Sequence, residues 1–309
     1  MRVLVFLLGL LALGLAFPVD SDNEVLALLG DDEIFFNVDQ ELGDEAYESS
    51  KLVFGGIHSY YGQWPSFVFV HYLKNSTGKK YMCGGTLLTP IHVLTAAHCT
   101  EDLIAPSVVM TGLIDLAHYR NPNVQRREIV DFVRHPEYNA SDTFNSDIAV
   151  LTLNEPVTLN QFAQIGRIQR NDEQLLDLAR AMAIGFGIQS YQWGTPQQSR
   201  FLNWAEVPLL NNTWCRDQWE DVSSDRVHIK ETQICYGAQG KGTGGGDSGG
   251  PIQVLVNGKW NQIGVVSFGV GGERILHQDK YPSVAIRIAP YCDFIEEQTQ
   301  GEFKCSEDF

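Results

Sequence analysis

The sequence predicts an all-β fold of two antiparallel barrels. Short strand-like segments recur along the chain and are separated by Gly, Pro and Asn, which interrupt strands. The segments fall into two groups, and a connection near residues 155–180 lies between the groups. Because closure into a barrel removes exposed sheet edges, each group is expected to form one barrel.

The individual elements follow from local patterns. The first group of strands is predicted at residues 67–72, 86–88, 92–95, 108–110, 129–133 and 148–153. The second group is predicted at residues 181–184, 203–207, 252–256, 262–268 and 284–288. Residues 172–180 suggest a short helical or irregular connection. Residues 290–300 predict a terminal helix with Pro290 in its first turn.

The chain begins with a pattern typical of a secretory signal peptide. Met1 and Arg2 precede an apolar run to Ala16, after which cleavage is expected, so the signal peptide spans residues 1–16. A membrane anchor is the alternative, but about 14 apolar residues are short for a span. We expect a secreted, extracellular, soluble protein. The net charge of −16 argues against nucleic acid and membrane surfaces as partners.

Residues 17–52 differ in composition from the rest of the chain. They hold eleven of the 38 acidic residues and one base, Lys51. An acidic pro-segment is the simplest interpretation, and a disordered acidic tail is the alternative. The six cysteines of a secreted chain predict three disulfides. Metal binding is disfavoured because no C-x-x-C or H-E-x-x-H motif occurs.

A glycine-rich stretch at residues 244–251 surrounds Ser248. Glycine allows positive φ and close backbone approach, so the stretch suits a serine that meets a ligand. A plain surface turn would have the same composition. The catalytic interpretation requires a base and a group that orients the base, because an unactivated serine is a poor nucleophile.

Three motifs in order supply these groups. His98 lies in Thr-Ala-Ala-His-Cys, Asp147 opens an apolar strand, and Ser248 lies in Gly-Asp-Ser-Gly-Gly-Pro. Together they resemble the chymotrypsin family of serine endopeptidases over residues 53–299. The resemblance implies a protease domain at residues 53–309 with two six-stranded barrels and the active site in the cleft between them. The N-terminal barrel would span about 53–165, the C-terminal barrel about 166–288, and the helix and tail 289–309.

The resemblance assigns a role to each group. Ser248 would attack the peptide carbonyl, His98 would act as general base and then acid, and Asp147 would orient the imidazole. The backbone N–H groups of Gly246 and Ser248 would form the oxyanion hole.

The resemblance also places the primary specificity pocket. Gly242 would form its base and Gly269 and Ser283 its walls. Ser267, Phe268 and Gly269 would pair with the substrate backbone. An uncharged base between glycines predicts an open slot for a large apolar or aromatic residue. The loop at residues 272–281 is longer than usual, and Glu273, Arg274, Asp279 or Lys280 could enter the pocket.

The cysteines fit the same resemblance. It implies the bridges Cys83–Cys99 and Cys215–Cys235, and it leaves Cys292 and Cys305 to pair with each other. Two other family bridges are lost at both ends, where Ala181 and Val254, and Gly244 and Gly272, occupy the positions. The second loss predicts a more mobile pocket wall.

Activation is expected to create a new N-terminus at Val53 that pairs with Asp247. By register the cut falls after Leu52, made by a chymotrypsin-like enzyme. A trypsin-like cut after Lys51 is the alternative, and it would leave Leu52 as an extra residue. The expected partners are protein or peptide substrates, an activating protease and protein inhibitors.

No cofactor or metal is expected, and the protein is predicted to be a monomer. Asn75, Asn139 and Asn211 begin N-glycosylation sequons, although short sequons also arise by chance. The alternative functional class is a non-catalytic homologue that binds partners through the same fold. Digestive and cascade roles both remain open.

Overall fold

The computed structural model describes residues 55–192, 195–223 and 227–307. The predicted signal peptide, the pro-segment and both ends of the predicted activation bond, Leu52 and Val53, lie outside the described residues. Within the described ranges, no helix is long and apolar enough to cross a membrane.

The first barrel is closed by six antiparallel strands in the order β2-β3-β4-β7-β6-β5. Aliphatic side chains with almost no exposed surface fill its interior, among them Val68, Leu87 and Leu151. The strands are β2 Phe67–Lys74, β3 Lys80–Thr89, β4 His92–Thr95, β5 Leu103–Thr111, β6 Gln125–Arg134 and β7 Ala149–Leu153.

The second barrel contains six strands in the order β11-β12-β15-β14-β13-β8, and pairing of β8 with β11 closes it. A short strand, β1, is added to β11, and β9 and β10 form a separate hairpin. The bounds are β1 Ile57–His58, β8 Arg180–Gly185, β9 Ile188–Gln192, β10 Thr195–Gln198, β11 Asn203–Leu210, β12 Gln233–Tyr236, β13 Pro251–Val256, β14 Lys259–Phe268 and β15 Ser283–Arg287.

In the part of the chain that the structure describes, three α-helices accompany the barrels: α1 Glu173–Leu176, α2 Asn212–Ser223 and α3 Cys292–Gln298. The predicted all-β class with two barrels and a short C-terminal helix is therefore confirmed. Each of the eleven predicted strand segments overlaps an observed strand. Helix α2 was not expected from the sequence.

Three disulfides join these elements in the predicted pairs. Cys83–Cys99 links β3 to the turn after β4, Cys215–Cys235 links α2 to β12, and Cys292–Cys305 links α3 to the C-terminal tail. The first bridge matters most for the site, because Cys99 directly follows His98. It fixes the backbone around that histidine to the first barrel.

Candidate active site

His98 and Asp147 form a hydrogen-bonded pair at the edge of the first barrel. His98 lies in a 3₁₀ turn, Ala97–Thr100, that follows β4, and Asp147 precedes β7. His98 Nδ1 is 2.7 Å from Asp147 Oδ2, and the His98 backbone N–H donates to Asp147 Oδ1 at 2.8 Å. The carboxylate is completely buried, whereas 20% of the imidazole surface is exposed. The pair therefore fixes the ring through Nδ1, and Nε2 is the nitrogen available for proton transfer.

Ser267 is a third partner of this pair. Its hydroxyl donates to Asp147 Oδ2 at 2.6 Å. The sequence placed Ser267 only on the strand that pairs with substrate. In the structure Ser267 also contacts the buried carboxylate, and a motif search does not show this contact. The Asp147 carboxylate thus takes part in three hydrogen bonds, two with His98 and one with Ser267.

The environment of His98 favours its protonated form. Burial lowers the pKa of His98, but attraction to Asp147 and their hydrogen bond outweigh burial and hold the pKa above the ordinary 6.5. A base with this character accepts a proton readily and is then stabilised as imidazolium.

The pH dependence of activity provides a test of this pair. We expect kcat/KM to fall as the pH decreases through the raised pKa of His98, because the base must be neutral to accept a proton. In Asp147→Asn, burial should dominate, so NMR titration should place the pKa of His98 below that in the parent protein. Asp142→Asn, an exposed residue on the same loop, is the control. An unchanged His98 titration in Asp147→Asn would contradict the pairing.

Ser248 lies in a tight turn that contacts the first barrel directly. The Gly84 N–H donates to the Ser248 carbonyl at 2.7 Å. Gly249, at φ 77°, lies so close to Ala96 that a Cβ there would be 3.1 Å from the Ala96 nitrogen. A Cβ on Gly84 would lie 2.6 Å from Gly250 Cα. Glycines thus allow the turn of Ser248 to rest on the strands that lead to Cys83 and His98.

Gly246 requires glycine for a similar reason. Its φ is 93°, and a Cβ would lie 2.7 Å from Gln198 Nε2 and 3.2 Å from Met82 Cε. Gln198 also donates to the Phe186 carbonyl at 3.0 Å. The sequence did not indicate Gln198, because it lies on the hairpin strand β10, outside every motif.

Asp247 is a buried carboxylate without exposed surface. Among the described residues, it accepts hydrogen bonds from the backbone N–H groups of Gly187, at 2.7 Å, and Gly244, at 2.9 Å. Burial raises its pKa to about 7, although these two hydrogen bonds act in the opposite direction. The described chain begins at Gly55, where a Cβ would overlap the Gly240 carbonyl oxygen. Gly55 therefore lies beside the loop that leads to Asp247.

The base of the predicted specificity pocket is not open. A Cβ on Gly242 would overlap the side-chain amide of Gln278. The expectation that Gly242 leaves room for a large residue is therefore wrong at this position. Gln278, which enters the pocket at this point, was not among the four loop residues named as candidates, Glu273, Arg274, Asp279 and Lys280. The remaining wall residues lie together, since a Cβ on Gly269 would be 3.3 Å from Ser283 Oγ.

Aromatic rings line the approach to His98. The Phe268 ring stacks on Phe144 with centroids 5.5 Å apart, and it meets Trp219 edge-on at 5.3 Å. Phe144 in turn lies 5.7 Å from the His98 ring in an edge contact. The sequence indicated only Phe268 of these three, because Phe144 and Trp219 approach it from other elements.

The three sequon asparagines, Asn75, Asn139 and Asn211, are all exposed, and their glycosylation stays a prediction. Cys83, His98 and Cys99 offer ligand atoms close together, but both sulfurs are in a disulfide and cannot act as thiolate ligands.

Two barrels that meet at a buried Asp–His pair and a glycine-bounded serine define the chymotrypsin class of serine endopeptidase. Comparison with known proteins agrees. The Trypsin family model matches residues 53–295. Chymotrypsin-C of Mus musculus is 32% identical over 255 residues, covering 81% of this chain and 90% of that protein.

Further relatives give the same result. Chymotrypsin-like elastase family member 1 of Canis lupus familiaris is 31% identical, covering 80% of this chain and 92% of that protein. Serine protease 41 of Homo sapiens is 32% identical, covering 80% and 76%. The chain belongs to the trypsin family of serine endopeptidases, hydrolases that act on protein or peptide substrates.

Proposed function

We propose that this chain is a secreted protease, made as a zymogen, that hydrolyses peptide bonds through a Ser248–His98–Asp147 triad and an acyl-enzyme. The observation that carries the proposal is that one strand, β3, holds both the turn of His98 and the turn of Ser248. Disulfide-bonded Cys83 holds the His98 turn, and Gly84, the next residue, holds the Ser248 carbonyl. Reacting groups gain rate from such fixed placement.

Each group has a chemical role in this proposal. Ser248 Oγ attacks the scissile carbonyl while His98 Nε2 accepts its proton, and the imidazolium then protonates the leaving amine. Asp147 and its donor Ser267 hold the ring and stabilise its positive charge. The N–H groups of Gly246 and Ser248 stabilise the oxyanion, and one such donor typically contributes about 3–4 kcal/mol to lowering the barrier.

The domain assignment accompanies this function. The signal peptide at residues 1–16 directs the chain out of the cell, and cleavage after residue 52 separates the pro-segment from the protease domain at residues 53–309. All six cysteines lie at or beyond Cys83, so no disulfide retains the pro-segment. The mature protease acts as an extracellular monomer that an activating protease produces and that protein inhibitors regulate.

We propose a preference for uncharged residues before the cut. Among the described residues, the groups that face the pocket base, Gly242, Thr243, Gln278 and Ser283, carry no charge, so a basic substrate side chain would meet no carboxylate of these residues there. A preference within the uncharged residues for large apolar or aromatic ones was predicted on the basis of an open base. The preference for large apolar or aromatic residues therefore depends on Gln278, which occupies that base.

A fluorescent organophosphonate, which labels an activated serine, tests the catalytic proposal. We expect the activated protein to be labelled at Ser248 and the proenzyme to be labelled far more slowly. Peptide mapping locates the label, and Ser248→Ala is the control. An activated protein that takes no label would overturn catalysis and support the alternative, a non-catalytic homologue that binds partners.

A further inference from the structure

The long loop after β14 reaches back under the specificity pocket. It begins with a 3₁₀ turn, Gly272–Leu276, and ends at β15. Ile275, only 2% exposed, packs against Ile188, and a Cβ on Gly244 would lie 2.6 Å from Ile275 Cδ1. This apolar contact lies at Gly244, one of the two glycines that replace a family disulfide.

Hydrogen bonds to main-chain carbonyls fix the same loop on both sides of Gln278. The Gly240 N–H donates to the Leu276 carbonyl at 2.7 Å. After the loop turns back, the Trp219 indole N–H donates to the Pro282 carbonyl at 3.1 Å. Gln278 is therefore held between two anchored points and is only 1% exposed.

The amide of Gln278 is held by two short hydrogen bonds at the pocket base. Ser283 Oγ donates to Gln278 Oε1 at 2.7 Å, and Gln278 Nε2 donates to the Thr243 carbonyl at 2.6 Å. Tyr236 and Thr243 extend this network, with their hydroxyl oxygens 2.6 Å apart. Within the described residues these bonds use one N–H and one lone pair of the amide, and the second of each remains.

Two glycines make the space that Gln278 occupies. A Cβ on Gly237 would lie 2.7 Å from Gln278 Cβ, and a Cβ on Gly242 would overlap the amide. Both glycines also have positive φ, 126° and 154°, which L side chains rarely adopt. The space left by the missing side chain of Gly242 is thus filled by Gln278 from a distant loop, so it is not an empty slot.

We infer that Gln278 is the specificity-determining residue of the primary pocket, and that it selects neutral side chains ending in a hydrogen-bonding group over apolar ones of similar size. This inference rests on the proposed function. Because Gln278 is only 1% exposed, its remaining amide N–H and lone pair are already out of solvent, so a polar end group gains hydrogen bonds there that an apolar end group cannot make. Sites built to bind a polar group discriminate strongly against analogues that lack it.

Matched peptide substrates test the selection in the unmodified protease. Two pairs differ little in size before the cut: glutamine against methionine, and tyrosine against phenylalanine. We expect kcat/KM to be about tenfold or more higher for the polar member of at least one pair. Equal or higher values for the apolar member of both pairs would overturn the inference.

Charge substitution at the pocket base gives an independent test. Gln278→Glu places a carboxylate where Gly242 offers no side chain, so we expect cleavage after Arg and Lys to rise about 100-fold and benzamidine to become an inhibitor. His277→Glu, exposed and one residue away, is the matched control and should change neither. Gly242→Asp should fail to produce the new activity, because its side chain would overlap Gln278.

Organophosphonate labelling distinguishes a failure of the inference about Gln278 from a failure of the catalytic proposal. If Gln278→Glu is labelled but keeps the parent cleavage profile, Gln278 does not set specificity and the catalytic proposal stands. If the parent protein itself takes no label, the catalytic proposal fails. If Gln278→Glu does not fold, Gln278→Met decides: the expected result is a reversal of the polar preference, and an unchanged profile overturns the inference.

Discussion

Replacing Ser248 with alanine is expected to lower kcat/KM by a factor of about 10⁴ or more. The substitution removes the nucleophile but leaves the oxyanion donors and the His98–Asp147 pair in place, so only the residual catalysis of those groups remains. Steady-state hydrolysis of a peptide amide by the activated protein measures the effect.

The expected loss is specific to one hydroxyl. Ser190→Ala, on hairpin strand β9, is the matched control and should retain the parent rate. His98→Ala in the Ser248→Ala background should add almost nothing, because groups that act as a unit are not additive. A loss of less than tenfold in Ser248→Ala would contradict the assignment of the nucleophile.

Replacing Asp247 with asparagine should leave the cleaved protein about 10²–10³-fold less active. A buried carboxylate without a cation is unfavourable, and the ammonium that cleavage frees at Val53 would supply the missing charge. The asparagine cannot form this ion pair, so the Ser248 turn next to it would not be fixed. Kinetics after complete cleavage, verified by N-terminal sequencing, measure the effect, and exposed Asp177→Asn is the control.

Asp247, which has no cationic partner among the described residues, also predicts the pH dependence of proenzyme stability. The pKa of Asp247 is about 7 in the fold and 3.8 in the unfolded chain, so between these values the folded state binds more protons. The free energy of unfolding should therefore fall as the pH rises from about 4 to about 7, by about 4 kcal/mol.

Denaturant unfolding of both forms across this pH range measures that change. In the cleaved protein the ammonium stabilises the charged carboxylate, so the decrease should be much smaller. The Asp247→Asn proenzyme has no titrating group at this position, so its free energy of unfolding should also lack the decrease. A cleaved protein that starts at Leu52 would support the alternative cut after Lys51, and equal pH dependence of both forms would contradict the ion pair.

The sequence predicted the barrels because short alternating strands and turn residues are local signals. Strand β4 was predicted with its observed bounds, His92–Thr95, and the triad motifs are similarly local. Helix α2 was missed for an understandable reason. Its start, residues 211–213, was interpreted only as a sequon, although Asn211 Oδ1 also caps the helix by accepting from the Trp214 N–H at 3.1 Å. Buried Cys215 and Trp219, four apart, would have indicated the helix.

The pocket base could not be predicted in the same way. Gly242 has no side chain, but the space beside it is occupied by Gln278, which lies 36 residues later in an insertion. No spacing rule connects the two, because loop residues approach a site in directions that only the folded chain defines. Ser267 shows the same limit: its backbone position follows from the motif, but its hydrogen bond to Asp147 requires both barrels.

The contact between Gly84 and the Ser248 turn has a consequence for how the protease loses activity. Gly84 belongs to the first barrel and Gly250 directly precedes β13 of the second, and their backbones touch without side chains between them. No rearrangement of side chains can maintain this contact if the barrels shift. Inactivation by heat should therefore begin with sliding of one barrel over the other, before either barrel loses its own strands. The catalytic rate should therefore be sensitive to small changes in how the two barrels pack against each other.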